Sequence, residues 1–201
     1  MSDFYQKYPD LLFGQHGSTL KLIEHLPHLQ VLDLSNSEFT NYSWMTHSPQ
    51  SLTSLSIAQF NGRVELPSSL IHFKADHFAL STTSPVSKLP PSLETFVVLF
   101  TLVGLDLLVP LLPPSIRKLK FGSYSDYSGN PRPAQNLLEQ LPKSLTSLHV
   151  PDLTEIDFKT NPELTSHIPS TLQHLNIISD FPCSAWPLLP PNLTTLICSP
   201  P

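Results

Sequence analysis

Nine histidines and two cysteines are the residues of this 201-residue chain best able to do chemistry, which would be metal binding or thiolate attack. Their spacing supports neither. A zinc-type site needs ligands at short fixed intervals, and the sequence holds no His-Glu-x-x-His and no Cys-x-x-Cys. His25 and His28 flank Pro27, which breaks any helix that could present both on one face. Cys183 falls in a proline-flanked loop, and Cys198 at an apolar strand position where core packing is the expected role. With six glycines and no Gly-x-Ser-x-Gly elbow, P-loop or Gly-x-Gly-x-x-Gly turn, the common hydrolase and nucleotide chemistries have no scaffold. No catalytic, cofactor-binding or metal-ligating residue is assigned, no cofactor is expected, and the chain is expected not to be an enzyme.

The charge pattern narrows the partners. Charged residues make up 13% of the chain against a typical figure of about 25%, so the surface must be mostly Ser, Thr, Asn, Gln and Pro. A net charge of −5 without a long run of either sign suits neither a nucleic-acid tail nor a polybasic membrane anchor. The first ten residues lack the apolar stretch of a secretory signal, and no apolar run reaches the roughly 18 residues of a membrane span. The expected location is cytoplasmic, with the nucleus as alternative; the sequons at Asn41 and Asn192 are then chance matches.

The elements that position these side chains are repeats. One phrase, Leu/Ile-Pro-x-Ser/Thr/Asn-Leu/Ile-x-x-Leu/Phe-x-apolar, recurs at 66–75, 89–98, 112–121, 141–150, 168–177 and 189–198, with looser copies at 48–57 and 26–34. The leucine or isoleucine after the proline turn falls at 29, 52, 70, 93, 116, 145, 172 and 193, a mean repeat of about 23 residues. The 22 prolines are about twice the average usage of roughly 5%, and the regular spacing of those in the phrase argues against a disordered linker.

Leu-x-x-Leu-x-apolar places alternate residues on one side of a short strand. Each repeat thus supplies one strand and an inward pair such as Leu55/Ile57, Leu119/Phe121 or Leu148/Val150. A lone strand cannot bury such a face, so neighbouring repeats must stack into a parallel sheet. The proline is expected just before each strand, where its missing N–H costs no ladder bond. The return segments are expected to be irregular or short 3₁₀, with helical turns at 18–25, capped by Ser18, and at 134–140. Phe60, Phe78, Phe96 and Tyr124 hold repeat-locked positions and are expected in the core. The expected fold is a leucine-rich-repeat-like solenoid of about eight short parallel strands forming a concave sheet, with residues 1–25 as an N-terminal capping segment and 26–199 as the array.

The phrase resembles the short repeats of bacterial effector leucine-rich proteins, and more closely the FNIP repeats of eukaryotic proteins. The FNIP-like pattern is approached at 51–61, 69–78 and 115–124, with Phe60, Phe78 and Tyr124 as the aromatic. The FNIP dipeptide is absent, the aromatic is missing after Val98 and Val150, and no regular Asn ladder appears. The resemblance implies protein–protein interaction, sometimes beside an F-box, kinase or ubiquitin-ligase domain; Cys198 and Cys183 have no room around them for the cysteine-dependent ligase domain of the bacterial effectors.

Residues between the apolar strand positions must face outward, and they form two columns. The first is Val31, Ser54, His72, Thr95, Lys118, Ser147, His174 and Thr195; the second is Asp33, Ser56, Lys74, Val97, Lys120, His149, Asn176 and Ile197. His72, Lys74, Lys118, Lys120, His149 and His174 then form a basic strip across the middle of the concave face, suited to an acidic protein or peptide or simply to solubilising an exposed sheet. The chain is therefore expected to be a non-enzymatic interaction scaffold. The alternatives are a substrate-recognition part of a ubiquitin ligase or other multidomain protein, and an extracellular recognition module. The polar loop 122–130 is either a contact loop or a solvated insertion, and the uncapped eighth strand implies a fragment or a covering chain.

Overall fold

Each Leu-x-x-Leu-x-apolar phrase becomes a strand because its alternate apolar groups can be buried only by lying parallel to the same phrase in the next repeat. The strands are β1 (Val31–Leu34), β2 (Ser54–Phe60), β3 (His72–Phe78), β4 (Thr95–Thr101), β5 (Lys118–Tyr124), β6 (Ser147–Val150), β7 (His174–Asp180) and β8 (Thr195–Ser199). They form one eight-stranded sheet in sequence order, every neighbouring pair parallel. The structure, a computed structural model, describes residues 23, 26–36, 43–62, 64–79, 88–101, 105–124, 138–150, 158, 161–180 and 183–199. This sequential parallel stacking is a leucine-rich-repeat-like solenoid.

Register follows the phrase. Leu32, Leu55, Phe73, Phe96, Leu119, Leu148, Leu175 and Leu196 are aligned in one inward column. Leu55/Ile57, Leu119/Phe121 and Leu148/Val150 are buried as inward pairs. Where the first inward residue is large the second can be small, as with Phe73 and Ala75, so neighbouring layers fill complementary space. Phe60, Phe73, Phe78 and Phe96 are edge-to-face or stacked neighbours, with centroids 5.3–5.7 Å apart, and Phe96 meets Phe121 at 6.4 Å. Phe60, Phe78 and Phe96 are thus core residues; the side chain of Tyr124 lies outside the described residues.

The proline does more than precede the strand. In seven repeats its carbonyl accepts the N–H of the leucine or isoleucine three residues on, as in Leu70 to Pro67 and Leu93 to Pro90, at 3.0–3.2 Å. It therefore opens a β-turn, and Pro67 stands five residues ahead of β3 rather than at its start. Position one of such a turn uses only the carbonyl, so the missing N–H is irrelevant. Pro67, Pro90, Pro113, Pro142, Pro169 and Pro190 are themselves buried.

The serine of the phrase is the tie between repeats. Ser51, Ser92, Ser115 and Ser144 each place Oγ within hydrogen-bond reach of two carbonyls of the preceding repeat, and Thr171 Oγ1 does the same toward Lys143 and Leu145. Ser69 donates to Leu52 O at 2.6 Å, and Asn192 Nδ2 to Ser170 O at 3.1 Å. The missing Asn ladder is thus replaced by a hydroxyl ladder.

Among the described residues the returning side is short and mostly 3₁₀, at Ser43–His47, Val109–Leu111, Pro162–His167 and Cys183–Leu188, with an α-helical turn, α1, at Leu105–Leu108. Of the helical turns expected at 18–25 and 134–140, Ile23 is in a 3₁₀ turn, 138–139 are helical and 140 is a turn; the rest lies outside the described residues. The polar loop lies outside them from residue 125, as does the side chain of Cys183, while Cys198 is a free, half-buried thiol packed on the core.

Candidate interaction face

The turn-to-strand interval fixes which residues face solvent. Both expected columns are in register across all eight strands, from Val31–Ser54–His72 to His174–Thr195, and from Asp33–Ser56–Lys74 to Asn176–Ile197. His72, Lys118 and His174 are exposed, while Lys74, Lys120 and His149 are half-buried between their neighbours. Lys120 stands opposite His149 on β6 and Val97 on β4, at the sheet spacing of about 4.8 Å.

The strip is less uniformly basic than its residue types suggest. Lys74 Nζ lies 3.3 Å from Asp76 Oδ1, two residues on and on the same face, so this cation is already paired. Burial, and then the Lys120 ammonium, hold the His149 imidazole below its ordinary pKa, so it is neutral at pH 7. His174 Nδ1 contacts Thr195 Oγ1 at 3.1 Å. Among the described residues no carboxylate pairs with Lys118 or Lys120, which leaves β5 as the cationic centre of the face. At the β1 end, hydrogen bonds from the Ser35 hydroxyl and N–H, with a smaller contribution from Lys74, lower the Asp33 pKa.

Sequence reasoning ended each strand at the second inward residue and so missed a further row. In β2 to β5 the pairing skips Ala58, Asp76, Leu99 and Gly122, then resumes at Gln59, His77, Phe100 and Ser123. Two successive residues therefore face outward before Phe60 and Phe78 turn back in. His77 and Phe100 stack at 5.0 Å, and Phe100 remains 50% exposed. Gly122 lies so close to Leu99 that an added Cβ would sit 2.2 Å from the Leu99 carbonyl oxygen. The inward aromatic three places after the strand phrase was the available signal, because period 2 alone would turn it outward.

Among the described residues no group of three or more His, Cys, Asp or Glu could hold a metal ion, and no helix is long and apolar enough to cross a membrane. What the face offers among the described residues is side-chain chemistry for recognition: cations, imidazoles, hydroxyls, the exposed aromatic Phe100 and, at its two ends, the exposed Val31 and Ile197.

No protein-family model matches the sequence, and no curated protein matches it. Among solved structures, the chain is similar to the leucine-rich repeat-containing protein LegL7 from Legionella pneumophila, with 16% identity and a TM-score of 0.43. That likeness covers 82% of this chain and 52% of the other, so this chain spans about half the length of that protein. The solenoid class is read from the strand order and register of this chain itself.

Proposed function

We propose that the chain is a non-enzymatic protein-interaction scaffold that binds a protein or peptide on the open face of its sheet. The observation that carries this reading is that Lys118 and Lys120, at the centre of two in-register outward columns, meet no competing carboxylate among the described residues and so attract an acidic partner. The buried aromatics Phe60 and Phe78 support the FNIP-type subclass. The free thiol of Cys198 is in keeping with a cytoplasmic or nuclear location.

Affinity capture from native lysate, read by mass spectrometry, tests it. The wild-type chain is compared with a folded Lys74→Glu/Lys118→Glu/Lys120→Glu variant. A protein captured by wild type alone is the expected result; identical captures would remove the face from the proposal.

A further inference from the structure

The outward side of β4 differs from those of β2 and β3 beside it. It presents Thr95, Val97, Leu99 and Phe100, where β2 presents Ser54, Ser56, Ala58 and Gln59, and β3 presents His72, Lys74, Asp76 and His77. Phe100 keeps half its surface in solvent although the His77 ring stacks on it. A half-exposed aromatic held in place by a neighbour loses little freedom on binding, which is the property of an interface anchor.

Beside this apolar stripe the backbones of β4 and β5 approach each other closely. Gly122 on β5 is the neighbour of Leu99, and no side chain can occupy that position without striking the Leu99 carbonyl. The Gly122 backbone is nevertheless partly open to solvent. Position 122 therefore carries no side chain, two residues beyond Lys120 on the same strand.

Charge is asymmetric across the stripe. On the β3 side Lys74 is neutralised by Asp76, whose carboxylate disfavours a second acid there. On the β5 side Lys118 and Lys120 are unpaired, and at neutral pH the uncharged His149 adds nothing to their field. Glu94, just before β4, accepts the backbone N–H groups of Arg117 and Lys118 through its carbonyl and so fixes where β5 starts.

We infer that this face takes an extended acidic peptide segment, with an apolar side chain seated on Val97, Leu99 and Phe100 beside the bare Gly122 backbone, and its carboxylates on Lys118 and Lys120. The inference rests on the reading of the face as a protein-binding surface and adds the chemistry of the occupant. Phe100, at the far end of the apolar stripe, lies three residues beyond Val97, which is in register with Lys120; Lys120 and Phe100 are therefore about 10 Å apart along the strands. An extended ligand spans that distance in about three residues, so Asp or Glu about three positions from Phe, Leu or Ile is the pattern that fits.

The test selects a random short-peptide library against the full chain, then measures one fluorescein-labelled selected peptide by polarisation over a salt series. Enrichment of peptides with an acid about three positions from an apolar residue is expected. Phe100→Ser should weaken binding about tenfold with the salt dependence unchanged. Lys118→Ala/Lys120→Ala should weaken it comparably and flatten the salt dependence. Phe100→Leu should retain most of the affinity, and Val97→Ser supplies a second probe of the stripe; circular dichroism melts check that each variant is folded. Selection of acidic peptides without an apolar residue, bound equally by Phe100→Ser and Val97→Ser, overturns the inference and leaves the binding face standing. No enrichment over an unrelated control protein, or enrichment insensitive to both sets of variants, overturns both.

Discussion

The hydroxyl of Ser92 lies 2.8 Å from the carbonyl oxygen of Leu70, one repeat earlier in the chain. The same oxygen reaches Ser68 O at 2.9 Å, and since a hydroxyl has one proton, it donates to one carbonyl at a time and bridges the two in alternation. Leu70 also turns its side chain fully into the core, so the bond ties the turn of one repeat to the packed turn of the next. The serine is therefore a structural residue of the solenoid, although its type and partial exposure suggest an ordinary surface polar group.

Ser92→Ala should destabilise the chain by about 1 kcal/mol, because half-buried carbonyls lose their donor. Ser92→Thr should be close to neutral, since Thr171 makes the same pair of contacts at its own rung. Urea unfolding of the two variants measures the difference. Equal midpoints for alanine and threonine would show that the rung carries no stability.

Gly122→Ala tests the close approach of β5 to β4. The new Cβ must displace the Leu99 carbonyl, which is backbone and belongs to a paired strand. A cost of about 1–3 kcal/mol is expected, typical of overpacking. Ala58, in the equivalent skipped position of β2, provides the control: Ala58→Gly should be far milder, losing mainly backbone entropy. Thermal melts of both variants decide it.

How much of this was legible beforehand depends on the range of the interaction involved. The two outward columns, including Lys118 opposite Thr95 and Lys120 opposite His149, follow from period 2 within each phrase and the recurrence of one anchor leucine, both local properties. The Phe100 and His77 stack was not legible because the skipped position at Asp76 and Leu99 reverses the alternation after Ala75 and Val98. The Lys74–Asp76 pair was lost for the same reason, since the strand was taken to end at Ala75. The Ser92 rung recurs in nearly every phrase, yet its partner lies 22 residues away and becomes visible only when repeats are stacked. The neutral state of His149 depends on burial between strands, which residue type does not encode.

Leu119→Asp and Lys120→Glu are adjacent substitutions with opposite expectations. Leu119 is 1% exposed in the middle of the sheet, and a carboxylate there has no partner, so a loss of several kcal/mol or failure to fold is expected. Lys120 is half-buried on the open face without an ion pair, and Lys120→Glu should stay within about 0.5 kcal/mol. Comparable losses in melting temperature would contradict the register.

The protonation of His149 links the face to pH. Its folded-state pKa is lowered, first by burial and second by Lys120, so between that pKa and the ordinary imidazole value of about 6.5 the unfolded chain binds more protons than the folded one. Stability from this group is therefore fully present above about pH 6.5 and is lost as pH falls through the folded pKa. An NMR titration of the His149 ring should place its midpoint below that of a free histidine. Lys120→Gln should raise the midpoint only part of the way, because the larger cause, burial, persists. An acidic peptide bound on Lys118 and Lys120 should raise it further, so its affinity should increase on acidification toward that midpoint while its own carboxylates stay ionised. A midpoint indifferent to the peptide would place the bound carboxylates away from β5 and its neighbour β6.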